Sequence, residues 1–313
     1  MEIIEHMMSA GRLALDLSLY VILPITVVMG GLMKVLENKG VLGVISNLLT
    51  PVTKLFGATG LSIIGLAKML FVSSVAPLTT LKKLDLQELD RRKLASSLAL
   101  MLSLTQANVS FPLIAYGLDI GFVLISSLVG GVIASAVTYY LLTRNLSSDT
   151  VSDLTGNDSH GSTSASKDFF QSLNEGGMEG MKIAINTIPM LVITLFLLTV
   201  LKQIHVIEWL TGLLAPFFAL IGLTDAAALP ILTKYIAGGT AYLGVMVDQI
   251  EQGAINATDI NIIAGIASNP VDLVGVALFS AIGPRISQVF RYALVGACFG
   301  LMVRAMLHIA WFA

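Results

Sequence analysis

Residues 60–75 read GLSIIGLAKMLFVSSV and residues 226–241 read AAALPILTKYIAGGTA, two mostly apolar runs 166 positions apart, each with a lysine at its ninth place. Leu66-Ala67-Lys68 thus aligns with Leu232-Thr233-Lys234, and Ser73-Ser74 with Gly239-Thr240. Upstream, the spacing is 165: Pro24 pairs with Pro189, Leu36 with Leu201, Leu49 with Leu214, Pro51 with Pro216 and Gly57 with Gly222. A unit repeated within one chain, with a lysine kept inside an apolar run, is a common transporter plan, and the copies meet at the site.

The composition makes this an integral membrane chain. Hydrophobic residues make up 55% and charged residues 12%, and mean hydropathy is +0.85. A soluble domain carries about 25% charged residues. The net charge of −2 and the lack of basic tracts exclude nucleic acid as a partner. One cysteine, Cys298, excludes an internal disulfide framework and reads as a small packed residue. The first residues hold Glu2, Glu5 and His6, and no cleavable signal is expected from them.

The apolar runs have helical length, whereas a closed barrel needs alternating segments of about 10 residues. Spans are expected near 13–36, 41–57, 60–82, 92–115 and 118–143, then 182–201, 206–223, 226–244, 260–281 and 286–311. The spans 41–57 and 206–223 are short and contain Pro51 and Pro216, so they are re-entrant, interfacial or crossing. Residues 145–166 are rich in Ser, Thr, Asp and Gly, a composition that cannot bury a core, and read as a flexible linker. The expected division is a first repeat at 1–144 and a second at 167–313. Lys167–Leu173 (KDFFQSL) and Glu2–Met8 (EIIEHMM) precede the first span of each half as short interfacial helices.

Charge orients the copies. Residues 82–93 hold Lys82, Lys83, Arg91, Arg92 and Lys93, whereas the equivalent 246–260 holds Asp248, Glu251 and Asp259 and no basic residue. Because Lys and Arg gather on the cytoplasmic side, equivalent loops of opposite character lie on opposite faces. The expectation is an all-α membrane protein of about ten helices, built as two inverted five-helix repeats. Its termini lie outside and its linker inside.

Lys68 and Lys234 lie about 12 Å deep in a core about 30 Å thick. An unpaired lysine there costs at least about 2.5–3.5 kcal/mol, so it faces a partner, a cavity or a solute unless it snorkels to the interface. Each lysine precedes a break. Pro77 interrupts 71–80 (FVSSVAPLTT), after Ser73 and Ser74, and Gly238, Gly239 and Thr240 interrupt 237–241 (AGGTA). Such breaks free backbone groups that hold ions or polar solutes, although small residues also serve tight helix packing. In the fourth span of each half, Gln106 and Asn108 precede Pro112, and Asn269 and Asp272 flank Pro270. The amides can read a polar ligand through paired donors and acceptors. Asp272 is the natural counter-ion of Lys68 or Lys234, in a structural or a functional pair. No phosphate loop, HExxH or GxSxG occurs, and the four histidines are scattered, so neither catalysis nor a cofactor is expected.

The proline-punctuated spans Pro24–Gly57 and Pro189–Gly222, with Leu232–Gly244 (LTKYIAGGTAYLG) and Ile266–Gly275 (IASNPVDLVG), resemble the nucleoside-recognition or Gate domain family. That family includes the spore maturation proteins A and B and the Gate regions of the ferrous-iron transporter B. The resemblance takes in most of the chain as two copies. It implies a transporter or channel in a bacterial inner membrane for a small polar solute, nucleoside-like or anionic. A non-transporting scaffold related to spore maturation proteins is the alternative. The expected partners are membrane lipid and the solute, and a homo-oligomer is compatible with the sequence.

Overall fold

The computed structural model describes residues 2–41, 44, 55–72, 76–86, 90–146, 168–220 and 222–313. Among these, regular structure is entirely helical. The first half runs α1 (Glu2–Asp16), a π-helical turn (Leu17–Ile22), α2 (Leu23–Asn38), α3 (Gly60–Phe71), α4 (Leu78–Leu86), α5 (Arg91–Leu102), α6 (Ala107–Leu113) and α7 (Ile120–Val137). The second runs α8 (Phe169–Gln203), α9 (Val206–Leu220), α10 (Ala228–Ala237), α11 (Gly239–Glu251), α12 (Ala257–Ala267), α13 (Leu273–Ser280) and α14 (Pro284–Phe312). Among the described residues both halves run from a long helix through short ones to an interrupted helix and a second long one, and the second half has α9 in addition.

Among the described residues five stretches are long and apolar enough to cross a membrane: Ile4–Asn38, Arg91–Tyr116, Ile120–Leu142, Phe169–Leu201 and Pro284–Phe312. The expected spans 60–82, 226–244 and 260–281 are instead divided into helices of 8 to 13 residues. At 1.5 Å per residue such pieces fall short of a core about 30 Å thick. Gly238, with φ +90°, makes the turn between α10 and α11, a conformation that L side chains rarely adopt. Those two helices then pack against each other. Most of 41–57 and of the 145–166 linker lies outside the described residues.

The expected interfacial helices differ too. Glu2–Met8 runs on into α1, and residues 169–173 form the first turns of the 35-residue α8. The glycines that follow do not end α8; they let it approach α2. A Cβ at Gly176 would strike the Gly30 carbonyl, one at Gly180 would strike the Thr26 carbonyl, and Thr26 Oγ1 donates to the Gly180 carbonyl at 3.1 Å.

The long helices α7 and α14 meet in the same manner. Ser126, Gly130, Ala134 and Thr138 recur every fourth residue along one, and Gly296, Gly300, Arg304 and His308 along the other; all are buried. A Cβ on Gly300 would collide with the Gly130 carbonyl, and one on Gly130 would lie 2.8 Å from the Gly300 carbonyl. Lipid gives apolar helices no hydrophobic reason to associate, so close backbone approach through small residues supplies the contact. Polar side chains at the end of this stripe are thereby carried into the interior.

Candidate functional site

Two helices of matching place in the two halves stop and restart in the interior. In the first half the break covers Ser103 to Gln106, between α5 and α6; in the second it covers Ser268 to Asp272, between α12 and α13. The breaks touch. The Gln106 backbone N–H donates to the Ser268 carbonyl at 3.0 Å, and Gln106 Nε2 donates to the Asn269 carbonyl. Thr105 Oγ1 donates to Ser268 Oγ at 3.0 Å, and the Thr105 N–H donates to Ser127 Oγ at 2.6 Å. Buried backbone groups left free by a break must find such partners, because an unmet one costs about 1–3 kcal/mol.

The break at Ser268–Asp272 is stabilised by its own side chains. Asn269 is fully buried; its Nδ2 donates to the Ile266 carbonyl at 2.8 Å and its Oδ1 accepts the Val271 N–H at 2.9 Å. Asp272 caps α13 by accepting the Gly275 N–H at 2.7 Å through Oδ1. Its Oδ2 takes the ammonium of Lys234 in a buried ion pair. Lys234 lies in the last turn of α10, where a helix C-terminus also favours a cation. The turn after it brings Gly238 beside Asp272 and Val274, and Gly239 against Gln106 and Val109. A side chain at Gly239 would displace the Gln106 amide.

The structure therefore gathers Gln106, Lys234, Gly238, Gly239, Asn269 and Asp272 of the expected set. Lys68 takes a different partner: its ammonium lies 3.4 Å from Glu37 on α2, with the lysine side chain 19% exposed. The repeat in local position still holds, because Lys68 ends α3 as Lys234 ends α10. Asn108 is buried in the first turn of α6, and Thr240 is half-buried in the first turn of α11. Ser73 and Ser74 lie outside the described residues.

Arg304 and His308 were absent from the expected set. Arg304 is fully buried and its Nη2 donates to the Ala264 carbonyl at 2.9 Å and to Ser268 Oγ. His308 Nδ1 lies 2.6 Å from the Asn261 carbonyl, which can only accept, and its Nε2 lies 2.7 Å from Ser126 Oγ. The available signal was their spacing, four apart on the glycine stripe of α14. A cavity of about 260 Å³ lies elsewhere, lined in part by Ser9, Leu13, Thr199, Gly244, Asp248 and Gln252. None of the expected site residues lines it. Among the described residues no group of His, Cys, Asp and Glu could hold a metal.

Two interrupted helices that meet at their breaks, with short helices beside them, characterise this helical membrane fold. The chain is similar to CNTnw, a concentrative nucleoside transporter, in an inward-facing substrate-bound state, with a TM-score of 0.68 and 18% identity over 92% of this chain and 74% of that one. An outward-facing state of a doubly substituted CNTnw gives a TM-score of 0.69 at 18% identity, with the same coverage. At that identity the likeness is one of fold. Residues 19–118 match the Gate family model, described as nucleoside recognition, which bears out the resemblance seen in the sequence. Over 81 residues the chain is 37% identical to spore maturation protein B of Bacillus subtilis (strain 168), covering 26% of this chain and 45% of that protein. The chain is a multi-pass membrane protein whose fold is similar to that of the CNTnw structures and whose residues 19–118 are similar to the Gate family.

Proposed function

We propose that the chain is a transporter for a small polar solute, nucleoside-like or anionic, held near the membrane midplane where its two halves meet. The observation that carries this is the joining of two interrupted helices by the Gln106 N–H and the Ser268 carbonyl, 3.0 Å apart. Gly239 closes on the same glutamine. A fold shared with structures in an inward-facing substrate-bound state and an outward-facing state supports alternating access. The Gln106 and Asn269 amides orient the solute, the Gly238–Thr240 turn offers backbone groups, and the Lys234–Asp272 pair secures the second break. With α3–α4 and α10–α11 as re-entrant hairpins, the described residues cross three times in the first half, as α1–α2, α5–α6 and α7, and three times in the second, as α8, α12–α13 and α14. An odd number keeps residues 82–93 on the cytoplasmic side of a bacterial inner membrane, opposite 246–260.

Uptake of labelled nucleosides, nucleobases and organic anions into proteoliposomes tests this. Wild-type vesicles are expected to exceed empty ones, and Gln106→Ala to fall about tenfold, as loss of a buried amide worth about 1.4 kcal/mol requires. Uptake of none of these solutes by the wild type would defeat the proposal. A membrane scaffold is the second reading, favoured by Lys234 sealed against Asp272 and by the likeness to spore maturation protein B. It expects no solute response and a stable complex in membrane extracts.

A further inference from the structure

Among the described residues Arg304 is a cation without a counter-ion. Its guanidinium is fully buried, and its Nε and Nη1 atoms meet no hydrogen-bond partner among them. An arginine carries five N–H donors. The bonds to Ala264 and Ser268 use Nη2, which leaves the Nε hydrogen and those of Nη1 unmet. Among the described residues no carboxylate lies within ion-pair distance of Arg304, and the nearby Asp272 is committed to Lys234 and Gly275. The groups facing it from the other elements are neutral. They are the Ala264 carbonyl on α12, Ser268 in the break that follows it, Tyr235 on α10 and Tyr242 on α11. The Tyr242 hydroxyl, also fully buried, has no partner either.

The fold does not need this charge. The helix of equivalent place in the first half, Ile120–Leu142, contains no charged residue. It packs through the same small-residue stripe. A buried, uncompensated charge costs several kcal/mol, and in membrane segments such groups pair with one another or face a transported species. The pair Lys234–Asp272 cancels, so the cluster around the second break carries one net positive charge, from Arg304.

We propose that Arg304, with the Tyr242 hydroxyl beside it, receives the carboxylate or phosphate group of a small anionic solute. This rests on the transport reading above and fixes its substrate class as anionic. Ser268 is the hinge of the arrangement, because its carbonyl takes the Gln106 N–H while its hydroxyl takes Arg304. Filling the charge site is thereby coupled to the junction of the two interrupted helices.

The test is thermal unfolding of the purified full chain in low-salt buffer, followed through its two tryptophans. The probes are acetate, inorganic phosphate, chloride, uridine and uridine monophosphate. Acetate, phosphate and uridine monophosphate are expected to raise Tm by roughly 5 °C at a hundredfold excess over Kd. Uridine is expected to leave it unchanged. Arg304→Met should lose the response and melt higher than wild type in the absence of anions, because an uncompensated charge is gone. Arg304→Lys should respond with a weaker midpoint, and it serves where the methionine variant does not fold. A wild type insensitive to all the anions overturns the proposal, as does a response unchanged in Arg304→Met. A shift with chloride or phosphate but not with uridine monophosphate or acetate marks a resident ion and overturns the solute assignment. In proteoliposomes, uridine uptake indifferent to anions would keep the transport reading and sink the anionic class. An anion shift lost in Arg304→Met without uptake of any solute would do the reverse.

Discussion

The carboxylate of Asp85, in the last turn of α4, accepts the backbone N–H of Ile286, in the first turn of α14, at 2.7 Å and across 201 residues of sequence. It is a helix cap supplied by the other half of the chain. Gly283 leaves the room for it, since a Cβ there would overlap the Asp85 carboxylate.

Asp85→Ala is therefore expected to cost about 1–2 kcal/mol, the usual worth of a cap, and to lower Tm by a few degrees. Asp85→Asn should retain most of the stability, because an amide oxygen still accepts the Ile286 N–H. Equal melting of all three proteins would show that the α14 terminus does not depend on this contact.

The two repeated lysines should behave differently. Lys234→Met leaves Asp272 buried without its cation and is expected to cost about 3–5 kcal/mol. Adding Asp272→Asn, which keeps the cap on Gly275 and removes the charge, should restore a large part of it. Lys68→Met breaks a half-exposed pair with Glu37 and should cost about 1 kcal/mol or less. A thermodynamic cycle from melting of the four variants measures the first, and no rescue by the double change would count against a buried ion pair.

Glycines separate by surroundings. Gly238→Ala forces a side chain into φ +90° and should cost about 1–2 kcal/mol. Gly300→Ala meets the Gly130 carbonyl and should cost about 1–3 kcal/mol by pushing α7 from α14. Gly212→Ala, inside α9 with nothing within 4 Å of the added carbon, should be neutral or stabilising by up to about 1 kcal/mol. Urea or thermal unfolding ranks the three, and an equal loss in Gly212→Ala, where helix propensity favours alanine, would show that backbone conformation and contact do not set the order.

Local chemistry made part of the site legible. Gly238-Gly239 reads as a break because adjacent glycines weaken a helix and admit conformations closed to other residues. Asn269 and Asp272 beside Pro270 read as polar groups inside the fourth span, although the break there was not legible. Both are properties of a few adjacent residues. Lys68 and Lys234 were matched by the same logic, and both do end short helices. Asp272 was legible as the counter-ion of one of the two lysines, and the structure gives it to Lys234. Glu37 as the partner of Lys68 was not, because it comes from an element that the chain order leaves unspecified.

From the sequence alone came the membrane class, the two matched lysine-bearing runs, the break at Gly238 and the polar content of the fourth span in each half. Each follows from composition or from spacing along one chain, which hydropathy and backbone sterics translate directly. Tertiary structure alone decided that the Gln106 N–H meets the Ser268 carbonyl and that Asp85 caps α14. It alone left Arg304 buried beside Ser268 with donors to spare. Those facts depend on how long helices approach through glycine stripes, and a close backbone contact between residues over a hundred positions apart leaves no periodic trace in either segment.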